Sequence, residues 1–302
     1  MSHGADSTKS IHYALAANAS IAIAKSGAAI ITGSGSMAAE AIHSFADTCN
    51  QLLLLLGLKR AKLPPSPDFP LGYGRETYFW SFIVALMLFS VGGMFSVYEG
   101  WHKFQHPEAL SYPLVAIGVL LFGIVAEGFS MWGCMREVDK VRDGRSYLQW
   151  FRESRQSELL VIFGEDFAAL LGLVFALVAI SATMVTGNPV FDAIGSMVIG
   201  ILLIAVATMI GREVKAQLIG ESAEPQVRAD MRAFLENRAE IKQLFNLLTV
   251  QLGDRVMVAV KAEMTITESA KEMVLAINAS EKAFKEEFPQ TLWLFFEPDL
   301  ED

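Results

Sequence analysis

Charge is scarce in this 302-residue chain: 19% of its residues are Asp, Glu, Lys or Arg, against 53% that are hydrophobic. Soluble globular proteins carry about 25% charged and about 45–50% apolar residues, so this balance argues against a soluble enzyme and against a disordered protein. Cysteine is scarcer still. Cys49 and Cys134 are the only two, which excludes a disulfide framework. Basic residues number 24 against 33 acidic ones, for a net charge of −9. Phosphate backbones are bound by clustered Lys and Arg, so no nucleic-acid partner is expected. The chain has no HExxH motif and no clear nucleophile–base pair, so a membrane enzyme is not expected either.

What the chain does have is long apolar runs, with a mean hydropathy of +0.39. A helix needs roughly 20 apolar residues to cross a bilayer. Six segments qualify: Ile11–Ile31, Ser36–Leu56, Tyr78–Tyr98, Tyr112–Trp132, Leu159–Met184 and Pro189–Ile210. Pro113 and Pro189 fall where a first helical turn tolerates a missing N–H. Pro64, Pro65, Pro67 and Pro70 break the chain between the second and third spans. Met1–Ser10 is polar and the first run is full length, so no cleavable signal is expected.

The charges divide the chain. Residues 1–211 hold 13 basic and 16 acidic groups, and residues 212–302 hold 11 and 17. We therefore expect a six-helix transmembrane domain over 1–211 and a water-facing domain over 212–302. Lys59, Arg60, Lys62 and Arg75 lie between spans two and three. Arg136, Lys140, Arg142, Arg145, Arg152 and Arg155 lie between four and five, and Arg212 and Lys215 follow six. The opposite connections carry Lys103 as their one basic residue. Basic loops stay cytoplasmic, which places both termini there.

In the tail, Gly253-Asp254 separates the strand-like runs Leu247–Leu252 and Arg255–Met264 and reads as a hairpin turn. A helix over Pro225–Arg238 precedes them. An amphipathic helix over Glu268–Glu287 and a β-rich run, Thr291–Phe296, follow. The order α-β-β-α-β predicts a small, ferredoxin-like α+β domain with helices on one sheet face. Its acidity makes it a poor match for anionic lipid and a candidate for pairing two copies.

Ionisable groups at bilayer depth cost at least about 2.5–3.5 kcal/mol each and are functional candidates by default. Span two is richest: Glu40, His43, Asp47 and Asn50 share one helical face. His43 and Asp47, one turn apart, are able to share a metal through imidazole nitrogen and carboxylate oxygen. Span five adds Glu165 and Asp166, with Glu158 two turns earlier. Three or four such ligands between two helices make a compact tetrahedral site, which suits Zn²⁺. The bland alternative is a buried polar cluster that only holds helices together. Lys25 stands alone in span one, and a buried ammonium there needs an acidic partner, Asp192 or Glu127. Lys25, Glu127, Asp192, Glu40 and Asn50 are thus candidates for the pathway or for proton coupling.

His43-Ser-Phe-Ala-Asp47 resembles the HxxxD signature of the cation diffusion facilitators, as do Asp192-Ala-Ile-Gly-Ser196 and Leu218-Ile-Gly-Glu-Ser-Ala-Glu-Pro225. Phe295-Phe-Glu-Pro298 looks like that family's terminal strand. The runs His43…Asp47…Asn50-Gln51 and Gly72-Tyr-Gly-Arg-Glu76 look most like the branch containing mitochondrial zinc transporter nine. The resemblance implies a homodimeric metal/proton antiporter that works by alternating access, with no prosthetic group and the divalent cation as substrate. It puts ligands at His43, Asp47 and Asp166. The family's span-five histidine position falls on Ile162, which cannot ligate, so a fourth ligand is Glu165, water or a group from another span. Glu165 points about 100° from Asp166 around an ideal helix, which calls for local distortion. The tail has neither His nor Cys, so tail-bound zinc is not expected.

His with carboxylates favours Zn²⁺ and accepts Co²⁺, Cd²⁺ or Fe²⁺, while an all-carboxylate version with His43 turned away leans to Mn²⁺. The missing span-five histidine also permits a non-transporting membrane sensor or scaffold. The expected setting is a multi-pass protein of a prokaryotic plasma membrane.

Overall fold

The computed structural model describes residues 7–32, 35–107, 112–265 and 269–301; the side chains of residues 32, 35–40, 42 and 43 also lie outside the description. Two long helices open the chain, α1 (Ser7–Thr32) and α2 (Gly35–Ala61). The third span begins as α3 (Glu76–Met87), passes through a π-helical segment at Leu88–Met94 and ends as α4 (Phe95–Gln105). Then come α5 (Pro113–Asp139), the short α6 (Tyr147–Glu153), α7 (Ser157–Thr186) and α8 (Val190–Ile219).

Among the described residues, five helices are long and apolar enough to cross a membrane: Ser7–Ile31, Glu76–Gln105, Pro113–Asp139, Ser157–Thr186 and Val190–Ile219. The chain is an integral, multi-pass membrane protein. The expected second span, α2, is of equal length at 27 residues. It is less apolar because Glu40, His43, Asp47, Asn50 and Gln51 lie along it. Packing, rather than oiliness, holds it: α2 lies against α1 and α3.

Glycine sets how closely the helices approach. A Cβ built on Gly200 of α8 would stand 2.6 Å from the Val97 nitrogen, and one on Gly100 would stand 2.7 Å from the Met197 nitrogen. The third span and α8 therefore touch backbone to backbone, the close contact that small residues allow between membrane helices. Elsewhere the interior is ordinary apolar packing, centred on Leu54, Tyr78, Trp150, Leu159, Leu160 and Ile210, each almost fully buried.

Several element boundaries differ from the sequence expectation. Helix α8 continues to Ile219, past the end of the apolar run at Ile210, and stops at Gly220, whose φ of +119° only glycine adopts easily. Its last turns bind the neighbouring loop, where the Gln217 side-chain amide donates to the Ser154 carbonyl at 3.2 Å. Helix α6 is an addition. Ser146 caps it by accepting from the Gln149 N–H (3.2 Å), and it buries Trp150 against Phe163.

The C-terminal unit follows as α9 (Pro225–Glu236), β1 (Ile241–Leu252), β2 (Arg255–Met264), α10 (Ala270–Glu287) and β3 (Thr291–Pro298), the expected α-β-β-α-β order. The sheet order is β1-β2-β3. β1 and β2 form an antiparallel hairpin with Leu252 opposite Arg255, so Gly253-Asp254 is the whole turn. β2 and β3 run parallel, which requires the α10 crossover between them. Val256, Val258, Val260, Ala262 and Met264 bury alternate positions of β2. They face Met231, Leu235, Phe284 and Phe288 from the helices. β1 starts earlier than its apolar run because register shifts near Gln243 and Asn246 break the alternation. The Lys242–Glu263 pair (2.6 Å) joins its polar end to β2.

Candidate functional site

Polar side chains from several helices converge on a cavity of about 160 Å³ between the helices. Helix α1 contributes Asn18 and Lys25, α2 contributes Ser44 and Asp47, α5 contributes Glu127, and α7 contributes Glu165 and Asp166. Ser96 and Glu99 of α4 and Ser196 of α8 extend its lining. Ionisable groups sit here because the cavity gives each of them polar neighbours in an otherwise apolar bundle.

Glu165 and Asp166 are consecutive, and both are almost fully buried. Helix α7 is continuous over Ser157–Thr186, and the two carboxylates reach different neighbours. Glu165 turns to α2, where Gln51 Nε2 donates to Oε2 at 2.7 Å and Asn50 Nδ2 donates to Oε1 at 3.2 Å. Asp166 turns to α5, where Ser130 Oγ donates to Oδ2 at 2.7 Å. Both Glu165 oxygens are thus engaged, while the second oxygen of Asp166 remains for something else. Asp166 Oδ1, Asn50 Oδ1 and Gln51 Oε1 are buried acceptors with no hydrogen-bond donor among the described residues. A buried acceptor without a donor costs about 1–3 kcal/mol, and a cation or a water would relieve it.

Glu127, 3% exposed, faces Asp166, Glu165, Asp47 and Lys25 electrostatically. Of the two partners expected for Lys25, Glu127 therefore shares its cavity. Asp192 does not line that cavity. It stands at the first turn of α8 beside Lys103 (3.5 Å), which also meets Glu99 at 3.1 Å. Glu158 is also elsewhere, buried near the start of α7, where it accepts from Ser7 Oγ (2.9 Å) and Ser157 Oγ (3.4 Å). Ile162 is fully buried in the apolar core.

His43 and Glu40 lie on α2, and their side chains are outside the described residues. Among the described residues, no three His, Cys, Asp or Glu side chains converge closely enough to hold a metal. Gln51 and Ser130 are the participants that sequence reasoning did not single out as site residues. A serine or threonine in an apolar span normally bonds its own helix, as Ser90, Ser96 and Thr208 do here, so its type alone carries no signal. Gln51, directly after Asn50 on a face already rich in polar groups, was the readable one.

Residues 11–219 match the cation efflux transmembrane domain. The chain belongs to the cation efflux, or cation diffusion facilitator, family. Its relatives include the human mitochondrial proton-coupled zinc antiporter SLC30A9, 34% identical over 226 residues, which covers 74% of this chain and 40% of that protein. Metal tolerance protein C4 of Arabidopsis thaliana is 30% identical over 221 residues, covering 71% of this chain and 48% of the relative. The zinc transporter ZitB of Yersinia pestis is 22% identical over 236 residues, covering 78% and 70%. The resemblance to the zinc-transporter-nine branch agrees with the first of these. The chain spans 40% of the human relative's length. That relative is named mitochondrial, which lends no support to a prokaryotic plasma membrane.

Proposed function

We propose that this protein exports a divalent cation, Zn²⁺ foremost, in exchange for protons by alternating access. One observation carries the reading. The cavity between the helices gathers Asp47, Glu127, Glu165 and Asp166, a density of carboxylates that a bilayer-spanning bundle tolerates only where cations or protons neutralise them. Family membership and the names of the zinc-transporting relatives support the same reading.

In this mechanism Asp47 and Asp166 bind the metal, together with His43 one turn before Asp47. Asp166 Oδ1, which has no hydrogen-bond partner among the described residues, is the lone pair best placed to accept it. Glu165 has both oxygens engaged by α2 amides; it fixes α2 against α7 and takes part in ligation only when those amides let go. Protons and metal compete for the same carboxylate and imidazole lone pairs, so metal leaves as protons arrive, without a separate proton path and without covalent chemistry. The basic loops put the tail in the cytoplasm, and two chains paired through their tails are the proposed assembly.

The test is pH-driven Zn²⁺ flux in proteoliposomes, with Mn²⁺, Co²⁺ and Fe²⁺ as competitors. Asp166→Ala and His43→Ala each abolish the flux. Full flux in either variant overturns the site, and metal binding by the wild type without pH-dependent flux favours a sensor.

A further inference from the structure

Asn18, Ile21 and Lys25 recur at helical spacing on α1, and all three line the carboxylate cavity. Lys25 is only 8% exposed, in a span whose remaining residues, from Ile11 to Ile31, carry no charge. Holding an ammonium there is costly unless opposite charges surround it. The elements packed against α1 supply them: Asp47 from α2, Glu127 from α5, and Glu165 and Asp166 from α7. Glu127 interacts electrostatically with Lys25 and also with the other three carboxylates.

We propose that Lys25 is a tethered cation that occupies the carboxylate cavity in the metal-free state and competes with the transported metal for it. The inference rests on the proposed metal transport and adds a residue to it. Its physical content is charge balance. Four carboxylates lining one cavity of about 160 Å³ repel one another when no metal is bound. An ammonium that cannot diffuse away offsets part of that repulsion at every stage of the cycle. When a divalent cation enters, Lys25 must yield its place beside Glu127 in the cavity or be repelled by the arriving charge. When the cavity opens on the far side, the same ammonium returns and helps drive the metal out. Lys25 thus sets affinity low enough for release, a specificity-determining role without ligation.

The sign of this effect separates it from a structural one. A residue that only holds α1 in place weakens metal binding when it is removed. A tethered competitor strengthens binding when it is removed. Zn²⁺ alone, titrated calorimetrically into the full-length protein in detergent, gives the dissociation constant. Proteoliposome flux gives KM and maximal rate. Lys25→Met is expected to lower the dissociation constant at least about tenfold, since a unit charge a few ångströms away acts through a low effective dielectric. It also lowers KM and slows maximal flux, because release becomes limiting. Lys25→Arg keeps the charge and restores near-wild-type affinity. Should Lys25→Met fail to fold, Lys25→Gln keeps a polar tip toward the same carboxylates and carries the same expectation. Unchanged or weaker Zn²⁺ binding in the neutral variants, beside a transporting wild type, overturns the inference alone. A wild type that moves no Zn²⁺ against a pH gradient overturns the transport reading.

Discussion

The backbone N–H of Gly253 donates a 2.8 Å hydrogen bond to the phenolic oxygen of Tyr78. This bond ties the tip of the C-terminal hairpin to the first turn of the third span, and Tyr78 is fully buried around it. Gly253 holds a φ of +67° at the turn and stands against the Gly74 backbone. Arg155 fixes the same junction from the other side, with Nη2 at 3.0 Å from Glu221 Oε1 and Nε donating to the Ser222 carbonyl at 2.8 Å.

Removing the phenol tests that joint. Tyr78→Phe leaves the ring in place and deletes one neutral hydrogen bond, a loss of about 1 kcal/mol. Hydrogen exchange at the Gly253 amide is expected to quicken about fivefold, with exchange in the middle of β2 unchanged.

The Glu165 clamp yields a second outcome. Gln51→Leu removes the donor to Oε2 and leaves a buried carboxylate oxygen unsatisfied, at a cost of about 1–3 kcal/mol. The midpoint of thermal unfolding in detergent falls. Glu165→Gln combined with Gln51→Leu is milder than the sum of the single changes, because the two side chains share one interaction.

Helix contact is tested at glycine. Gly200→Ala drives a methyl to 2.6 Å from the Val97 nitrogen and 2.8 Å from the Gly93 carbonyl oxygen. Backbone atoms on both sides have little room to retreat, so the variant loses about 1–3 kcal/mol and a measurable fraction of folded protein by size-exclusion profile. Gly118→Ala is the control. A Cβ there meets nothing within 4 Å, and the substitution leaves stability equal or slightly higher.

Acid loosens the end of the sheet. The Asp299 carboxylate is held below the ordinary range, first by the Leu300 N–H and then by Lys261, whose Nζ lies 3.1 Å away. A group with a lowered folded-state pKa contributes stability above its unfolded value, and that contribution fades as pH falls through the folded one. Carboxyl chemical shifts followed by NMR during an acid titration should therefore place Asp299 below a free aspartate. Asp299→Asn or Lys261→Met removes the acid dependence of exchange at the end of β3.

Much of this was readable in the residues. The hairpin is legible because glycine followed by aspartate between two alternating runs leaves few other conformations. The apolar spans are legible because nothing else keeps 20 such residues together. The meeting of Asp47, Lys25 and Glu127 was half legible: each was conspicuous as a charge in an oily run, but their common cavity depends on helix rotations that the runs do not encode. Asp192 shows the limit. It looked equally eligible to partner Lys25, but it stands in the first turn of α8, where Lys103 of another helix lies 3.5 Å away. The shared grip of Gln51 and Asn50 on Glu165 was invisible because it depends on how two helices face one another.

The π-helical turn in the third span has a consequence for the phase of that helix. At 3.6 residues per turn, Ala85, Gly92 and Glu99 fall along one stripe. One additional residue in the π segment advances everything after it by about 100°, so the stripe continues instead through Gly93 and Gly100. Those two positions carry no side chain and accept the backbone of α8. Without that advance, a glutamate would be driven into a contact with no room for a methyl group. With it, Glu99 is released to the cavity lining, and a single surplus residue decides which of two neighbours is pressed against α8.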